Sequence, residues 1–293
     1  MPELPDPEHP AVRSVSERAG GAGRVSLVGA GPGDPELLTR RAWRVLGEAD
    51  VVLHDTLVDP RLRDAAPAAR WIAVGKRFGR ASTDQRFINR LIVSYARQGR
   101  TVVRLKGGDP SIFARASEEI AACRAAGVPV DVVPGVTAAC AAAADLQASL
   151  TLRGVARSVA FVTPRVGHGQ LGGSGWIDAA VAADTVALYM AGAELSSVAE
   201  QLIGAGRPPR TPACVVENAG GRGLRLVTTL AALRDVQGFA AQGPVIVLVG
   251  NALAAVPIDE QRPDIAPAVR AAAPDRMLGP TPRTAPPAAL AAR

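Results

Sequence analysis

Short apolar runs alternate along this chain with longer segments in which apolar residues recur at helical spacing. The runs Arg24–Ala30, Asp50–Asp55, Trp71–Lys76, Thr101–Lys106 and Val130–Val133 read as strands, and a second set follows at Ser158–Thr163, Thr185–Met190, Pro212–Glu217 and Val245–Gly250. Helices are predicted over Glu36–Ala49, Asp84–Gln98, Ser117–Ala126, Thr137–Leu146 and Glu194–Ala205. The first has Asp34 as its cap and Pro35 at its first position, and Gly127 and Gly206 fall where helices should stop. Such alternation is the βαβ pattern of mainly parallel sheets. The pattern lapses between Gln147 and Arg157, and residues 167–175 read as a flexible loop.

Two α/β domains are therefore expected, 24–136 and 137–257, with a ligand cleft between them. Residues 1–23 are Pro/Glu-rich and residues 258–293 Pro/Ala/Arg-rich, without period, and both are expected to be disordered tails. A length of 293 residues agrees with two domains at roughly 150 residues each. Hydrophobic residues make up 48% and aromatics only 3%, so the cores must be built from Val, Leu, Ile and Ala.

Several classes drop out on composition. No apolar stretch approaches the ~18 residues of a membrane span, and the acidic N-terminus lacks the apolar centre of a secretory signal. Cys123, Cys140 and Cys214 are odd in number and far apart, and His9, His54 and His168 are isolated, so neither a disulfide framework nor a metal site is expected. A reducing, cytoplasmic setting follows. Residues 24–257 carry 26 basic and 19 acidic side chains, an excess that suits an anionic ligand. It forms no Lys/Arg run and is not interleaved with aromatics, so nucleic acid is not an expected partner.

Of the 33 basic residues, all but Lys76 and Lys106 are Arg. Arginine keeps its proton in a protein, whereas lysine can exchange one. Both lysines fall at strand ends, as do Asp55, Gly107-Gly108-Asp109, Pro134-Gly135, Tyr189-Met190 and Glu217-Asn218-Ala219. In open α/β sheets, ligands bind outside the carboxyl ends of the strands.

Gly29-Ala-Gly31-Pro-Gly33-Asp34 invites a dinucleotide reading, with Asp55 as the ribose acid, but the third glycine of that fingerprint is replaced by Asp34.

Taken together, Gly29-Ala-Gly-Pro-Gly-Asp-Pro-Glu-Leu-Leu-Thr39, His54-Asp-Thr-Leu-Val58, Val74-Gly-Lys-Arg77, Arg104-Leu-Lys-Gly-Gly-Asp-Pro110, Pro134-Gly-Val-Thr-Ala138 and Val215-Val-Glu-Asn218 make the chain resemble the uroporphyrinogen-III C-methyltransferases of the tetrapyrrole methylase superfamily, over about 24–253. The resemblance implies a tetrapyrrole-methylase-like fold and a homodimer. It implies transfer of methyl groups from S-adenosylmethionine to two ring carbons of uroporphyrinogen III, giving precorrin-2 for sirohaem or cobalamin. It implies Asp55 as proton acceptor and Lys76 as proton donor. For the methyl donor it implies Pro32, Gly107, Gly108, Asp109, Ile112, Thr137, Ala138, Met190 and Ala219, with no metal. Arg77, Arg104 and Arg115 are candidate clamps for the acceptor's carboxylates. Lys106 receives no role.

The chain departs from the family pattern at Ser111-Ile-Phe-Ala-Arg-Ala-Ser117, where three glycines are lost, at Leu152, which replaces a histidine, and at Pro164-Arg165. Loss of the glycines is expected to stiffen that loop. Three other readings stay open: a later precorrin methyltransferase, a NAD-dependent oxidoreductase, and a non-catalytic donor- or tetrapyrrole-binding protein. Only 23 residues precede the first strand, so a protein that stops at precorrin-2 is expected.

Overall fold

The computed structural model describes residues 23–74, 84–166, 170–171, 173–221, 223–236, 239 and 243–256. The expected tails lie outside them, Gly23 apart. In chain order the elements are β1 (Arg24–Gly29), α1 (Arg40–Gly47), β2 (Val51–His54), β3 (Arg70–Ala73), α2 (Gln85–Arg97), β4 (Thr101–Lys106), α3 (Ala116–Ala125), β5 (Val130–Val133) and α4 (Ala138–Asp145). There follow β6 (Val159–Val162), β7 (Arg165–Val166), β8 (Gln170–Leu171), α5 (Gly175–Ala182), β9 (Thr185–Tyr189), α6 (Leu195–Gly204), β10 (Pro212–Glu217), β11 (Arg225–Thr229) and β12 (Val245–Gly250).

The first sheet has the order β3-β2-β4-β1-β5 with every pair parallel. Its alternation is clean. Val28, Val52, Val103 and Leu105 face α1, while Val25, Leu27, Val51, Leu53 and Val102 face α2 and α3. Because all five strands run one way, the turns after β1, β2, β4 and β5 share one edge, as the position of the unusual residues required.

The second sheet has the order β11-β10-β12-β9-β6. Here only β6–β9 is parallel; β9–β12, β12–β10 and β10–β11 are antiparallel. The parallel expectation thus describes the first sheet, and the second is mixed. Short apolar strands with period 2 put the same residues inward whichever way they run, so the pattern carried no direction. One face, with Val186, Leu188, Val215 and Val247, is covered by α5 and α6; the other, with Ala187, Cys214, Ile246 and Leu248, by α4. Of the alanines of α4, Ala139 and Ala142 are fully buried and Ala141 and Ala143 nearly so, which lets the helix lie close on that sheet.

Three local expectations are corrected. The first helix does not start at Glu36: Asp34 caps a short 3-10 turn over Pro35–Leu37, and Thr39, whose hydroxyl accepts from the Ala42 amide at 3.1 Å, then caps α1, which starts at Arg40. α5 and β11 form where no element was predicted. The loop over 167–175 is partly ordered, by the β7–β8 pairing and the start of α5; residues 167–169 and 172 lie outside the described residues. Among the described residues, no helix is long and apolar enough to cross a membrane.

Candidate active site

Three glycine turns interlock at the carboxyl edge of the first sheet. Gly31 and Gly108 bridge through a pair of backbone bonds of 3.2 and 2.7 Å, tying the turn after β1 to the turn after β4. A Cβ on Gly29 would lie 2.6 Å from the Gly135 nitrogen and 2.7 Å from the Gly108 oxygen. Only glycine allows this approach. Asp109 completes the junction: Oδ2 accepts from the Gly135 amide at 2.9 Å and Oδ1 from the Ser111 amide at 2.7 Å. Its carboxylate therefore shapes the turns. The turn after β1 also fails to run directly into α1, which begins at Arg40, so the dinucleotide arrangement is absent.

The second domain contributes a facing set. A Cβ on Gly220 would lie 2.9 Å from Pro32 Cγ and 2.7 Å from Leu37 Cδ1, so the turn after β1 packs on the turn after β10. Ala219 is buried beside it, in the cluster that holds α4. The Thr137 hydroxyl lies 2.6 Å from the Tyr189 hydroxyl, which also accepts from the Ala139 amide at 3.3 Å. Burial pushes the Tyr189 phenol up, against the bond to Thr137, so it stays protonated at neutral pH. Phe113 packs on the Tyr189 ring at 5.1 Å. Phe113 and Met190 are left 44% and 47% exposed, both with backbones in the left-handed region, at φ 49° and 59°. Strained, exposed apolar side chains beside a glycine edge are a mark of functional sites.

Pro32, Gly107, Gly108, Asp109 and Met190 thus sit in turns at the facing edges, Thr137 and Ala138 at the start of α4, and Ile112 follows Asp109 in the same turn. The sequence marked Tyr189 as a strand end and Phe113 as part of the departing loop but gave neither a site role; that both are aromatics, in a chain with few, was the available signal. The glycines missing at 114, 116 and 117 do not coincide with the left-handed residues of this loop, Phe113 and Arg115, so their loss does not force the turn.

Asp55 lies at the end of β2, its side chain 29% exposed, and one oxygen, Oδ1, accepts from Arg104 Nη2. The carboxylate is thus partly solvated and anchored by an arginine. Arg104 is not a free clamp: it is buried, with Nε on Glu119 Oε1 at 3.0 Å and Nη1 on the carbonyls of Leu105 (3.0 Å) and Leu53 (3.3 Å). Lys106 Nζ donates to Glu119 Oε2 at 2.9 Å. Burial, then the charge of Arg104, push the Lys106 ammonium below its usual range, with Glu119 opposing. Arg104 is held above its usual value because Asp55 and Glu119 outweigh the cost of burial. Arg115 pairs on the surface with Glu118 at 2.7 and 2.9 Å, and Arg165 with Glu194 at 3.0 and 2.6 Å. Lys76 and Arg77 lie outside the described residues. No cluster of three or more metal-ligating side chains occurs among the described residues.

A glycine-rich parallel edge facing an apolar shelf on a mixed second sheet is the architecture of one class of enzymes. The chain belongs to the tetrapyrrole (corrin/porphyrin) methylase family, which matches residues 24–234. It is 44% identical over 78% of its length to the uroporphyrinogen-III C-methyltransferase of Pseudomonas aeruginosa, covering 94% of that protein. It is 47% identical to the siroheme synthase of Pseudomonas putida, again over 78% of its own length, but spans about half (50%) of that protein. Among solved structures, the uroporphyrin-III C-methyltransferase of Thermus thermophilus complexed with S-adenosylhomocysteine superposes with a TM-score of 0.69 at 38% identity, over 79% of this chain and 99% of that one.

Proposed function

We propose that this chain is an S-adenosylmethionine-dependent methyltransferase that methylates two ring carbons of uroporphyrinogen III to give precorrin-2, for siroheme or cobalamin synthesis. The observation that carries the reading is the facing of two sets: the interlocked turns of Gly29, Gly108 and Gly135 with the anchored carboxylate of Asp55 on the first sheet's edge, and the shelf where Phe113 packs on Tyr189 beside Met190.

The site fits the methyl donor. Exposed ring and thioether surfaces at Phe113 and Met190 suit an adenosine, and turn amides around Gly107, Gly108, Thr137 and Ala138 suit its polar groups. Pro32, Asp109, Ile112 and Ala219 hold these turns in place. When bound, the donor supplies an electrophilic methyl group on sulfur, and the acceptor ring gives up one proton for each methyl it gains. The protein's tasks are alignment and proton handling. Asp55 takes the proton from the ring, and Lys76 is the proton donor. The acceptor, a small-molecule polyanion, lies between the domains, where the basic excess of the chain attracts it. The enzyme works as a homodimer in the cytoplasm.

Anaerobic incubation with S-adenosylmethionine and uroporphyrinogen III, followed by mass analysis of the tetrapyrrole, tests the reading. A gain of two methyl groups that is lost in Asp55→Ala is expected. No gain with measurable donor binding would overturn it in favour of a later precorrin as acceptor or a binding role.

A further inference from the structure

Strand β4 reads Thr-Val-Val-Arg-Leu-Lys and is buried along its whole length. Two cations inside a buried parallel strand need an explanation. Period 2 puts Arg104 and Lys106 on the same face as Val102, beneath α2 and α3, and puts Asp55 on the face of Leu53 in the neighbouring strand. Glu119 of α3, fully buried, reaches both cations, and Gln85 of α2 donates to its Oε1 at 3.1 Å. Two cations are then matched by one buried carboxylate and by the partly exposed Asp55 at the rim.

Stability alone does not account for such a network, because well-packed apolar residues in place of buried ion pairs are often as stable or more so. What the network does impose is geometry. A guanidinium is a rigid planar fork. With Nε fixed by Glu119 and Nη1 by the main chain of β2 and β4, the direction of Nη2, and hence the place of the Asp55 carboxylate, is set from the interior.

We propose that Arg104, anchored by Glu119 and Lys106, is a positioning residue that holds the Asp55 carboxylate in its working orientation from inside the first domain. The proposal rests on the reading of Asp55 as the proton acceptor. It also gives Lys106 a task, as the counter-charge that keeps Glu119 in place just before the Gly107-Gly108 turn.

The test is a double-mutant cycle on methyl transfer to uroporphyrinogen III, with S-adenosylhomocysteine binding and thermal unfolding measured alongside. Arg104→Lys keeps the charge and loses the fork; a coupling of this kind is expected to lower kcat about tenfold, with donor KM and S-adenosylhomocysteine affinity within about twofold. In an Asp55→Ala background the same substitution should cost nothing further. Where Asp55→Ala falls below detection, Asp55→Glu serves as the background, and the loss should be smaller than in the parent. Glu119→Gln keeps the shape and should act in the same direction, and it carries the test if Arg104→Lys does not fold. Equal losses with and without Asp55, or donor affinity falling in step with kcat, would make Arg104 a scaffold residue and overturn the proposal. A rate sensitive to Asp55→Ala but untouched by Arg104→Lys overturns the positioning role alone. A rate untouched by Asp55→Ala overturns the role of Asp55 itself, and the proposal with it.

Discussion

The Tyr189 hydroxyl stands 2.6 Å from the Thr137 hydroxyl and so ties the end of β9 to the start of α4, across 52 residues of sequence. It also satisfies the Ala139 amide, one of the free donors at the start of that helix. Tyr189→Phe removes both bonds and keeps the ring that packs on Phe113 and Phe161. The expected result is a folded protein whose affinity for S-adenosylhomocysteine falls roughly tenfold, in line with the ~1 to 2 kcal/mol attached to a buried polar group left without its partner. Titration calorimetry reads this directly, and an unchanged affinity would remove Tyr189 from the donor site.

The glycine junction makes a second prediction. Gly29→Ala forces a methyl against the Gly135 nitrogen and the Gly108 oxygen, both backbone atoms that cannot swing away. A loss of roughly 1 to 3 kcal/mol is expected from overpacking, together with loss of donor binding as the three turns separate. Gly204→Ala is the matching control. It sits in α6, nothing lies within 4 Å of its added methyl, and up to about 1 kcal/mol of gain is expected from helix propensity. Urea unfolding of the two variants should move in opposite directions.

Asp184 makes the third. Its Oδ2 accepts from the Arg157 amide (2.8 Å), the Ser158 amide (2.9 Å) and the Ser158 hydroxyl (2.8 Å), and these bonds hold its carboxyl below the usual range. A depressed folded-state pKa contributes stability above the unfolded value and loses it as pH falls through the folded one. The gap in urea midpoint between the parent and Asp184→Asn should therefore be constant above about pH 5 and shrink below about pH 4. A gap that does not vary with pH would mean that the carboxylate charge contributes nothing at this junction.

Much of the strand and turn pattern was legible in the sequence because its information is local. β4, β5, β10 and β12 begin and end where the apolar runs do. The gathering of Asp55, Gly29, Gly108 and Gly135 followed from one rule, that parallel strands share a carboxyl edge. The start of α1 was misplaced for an equally local reason, since Asp34 and Thr39 are both good caps and the chain uses them in succession.

What the sequence by itself determined is therefore the α/β class, the strand and turn positions, and the family, because strand periodicity, capping and glycine turns act over a few residues. The directions of β9 to β12 were left to the tertiary structure, since alternation reads the same in both senses. The state of Arg104 was too: the carboxylates that engage it come from 49 and 15 residues away, on β2's end and on α3. Whether a buried strand's arginine faces a ligand or an internal partner depends on what packs over it, and only the folded arrangement of α2 and α3 brings Gln85 and Glu119 there.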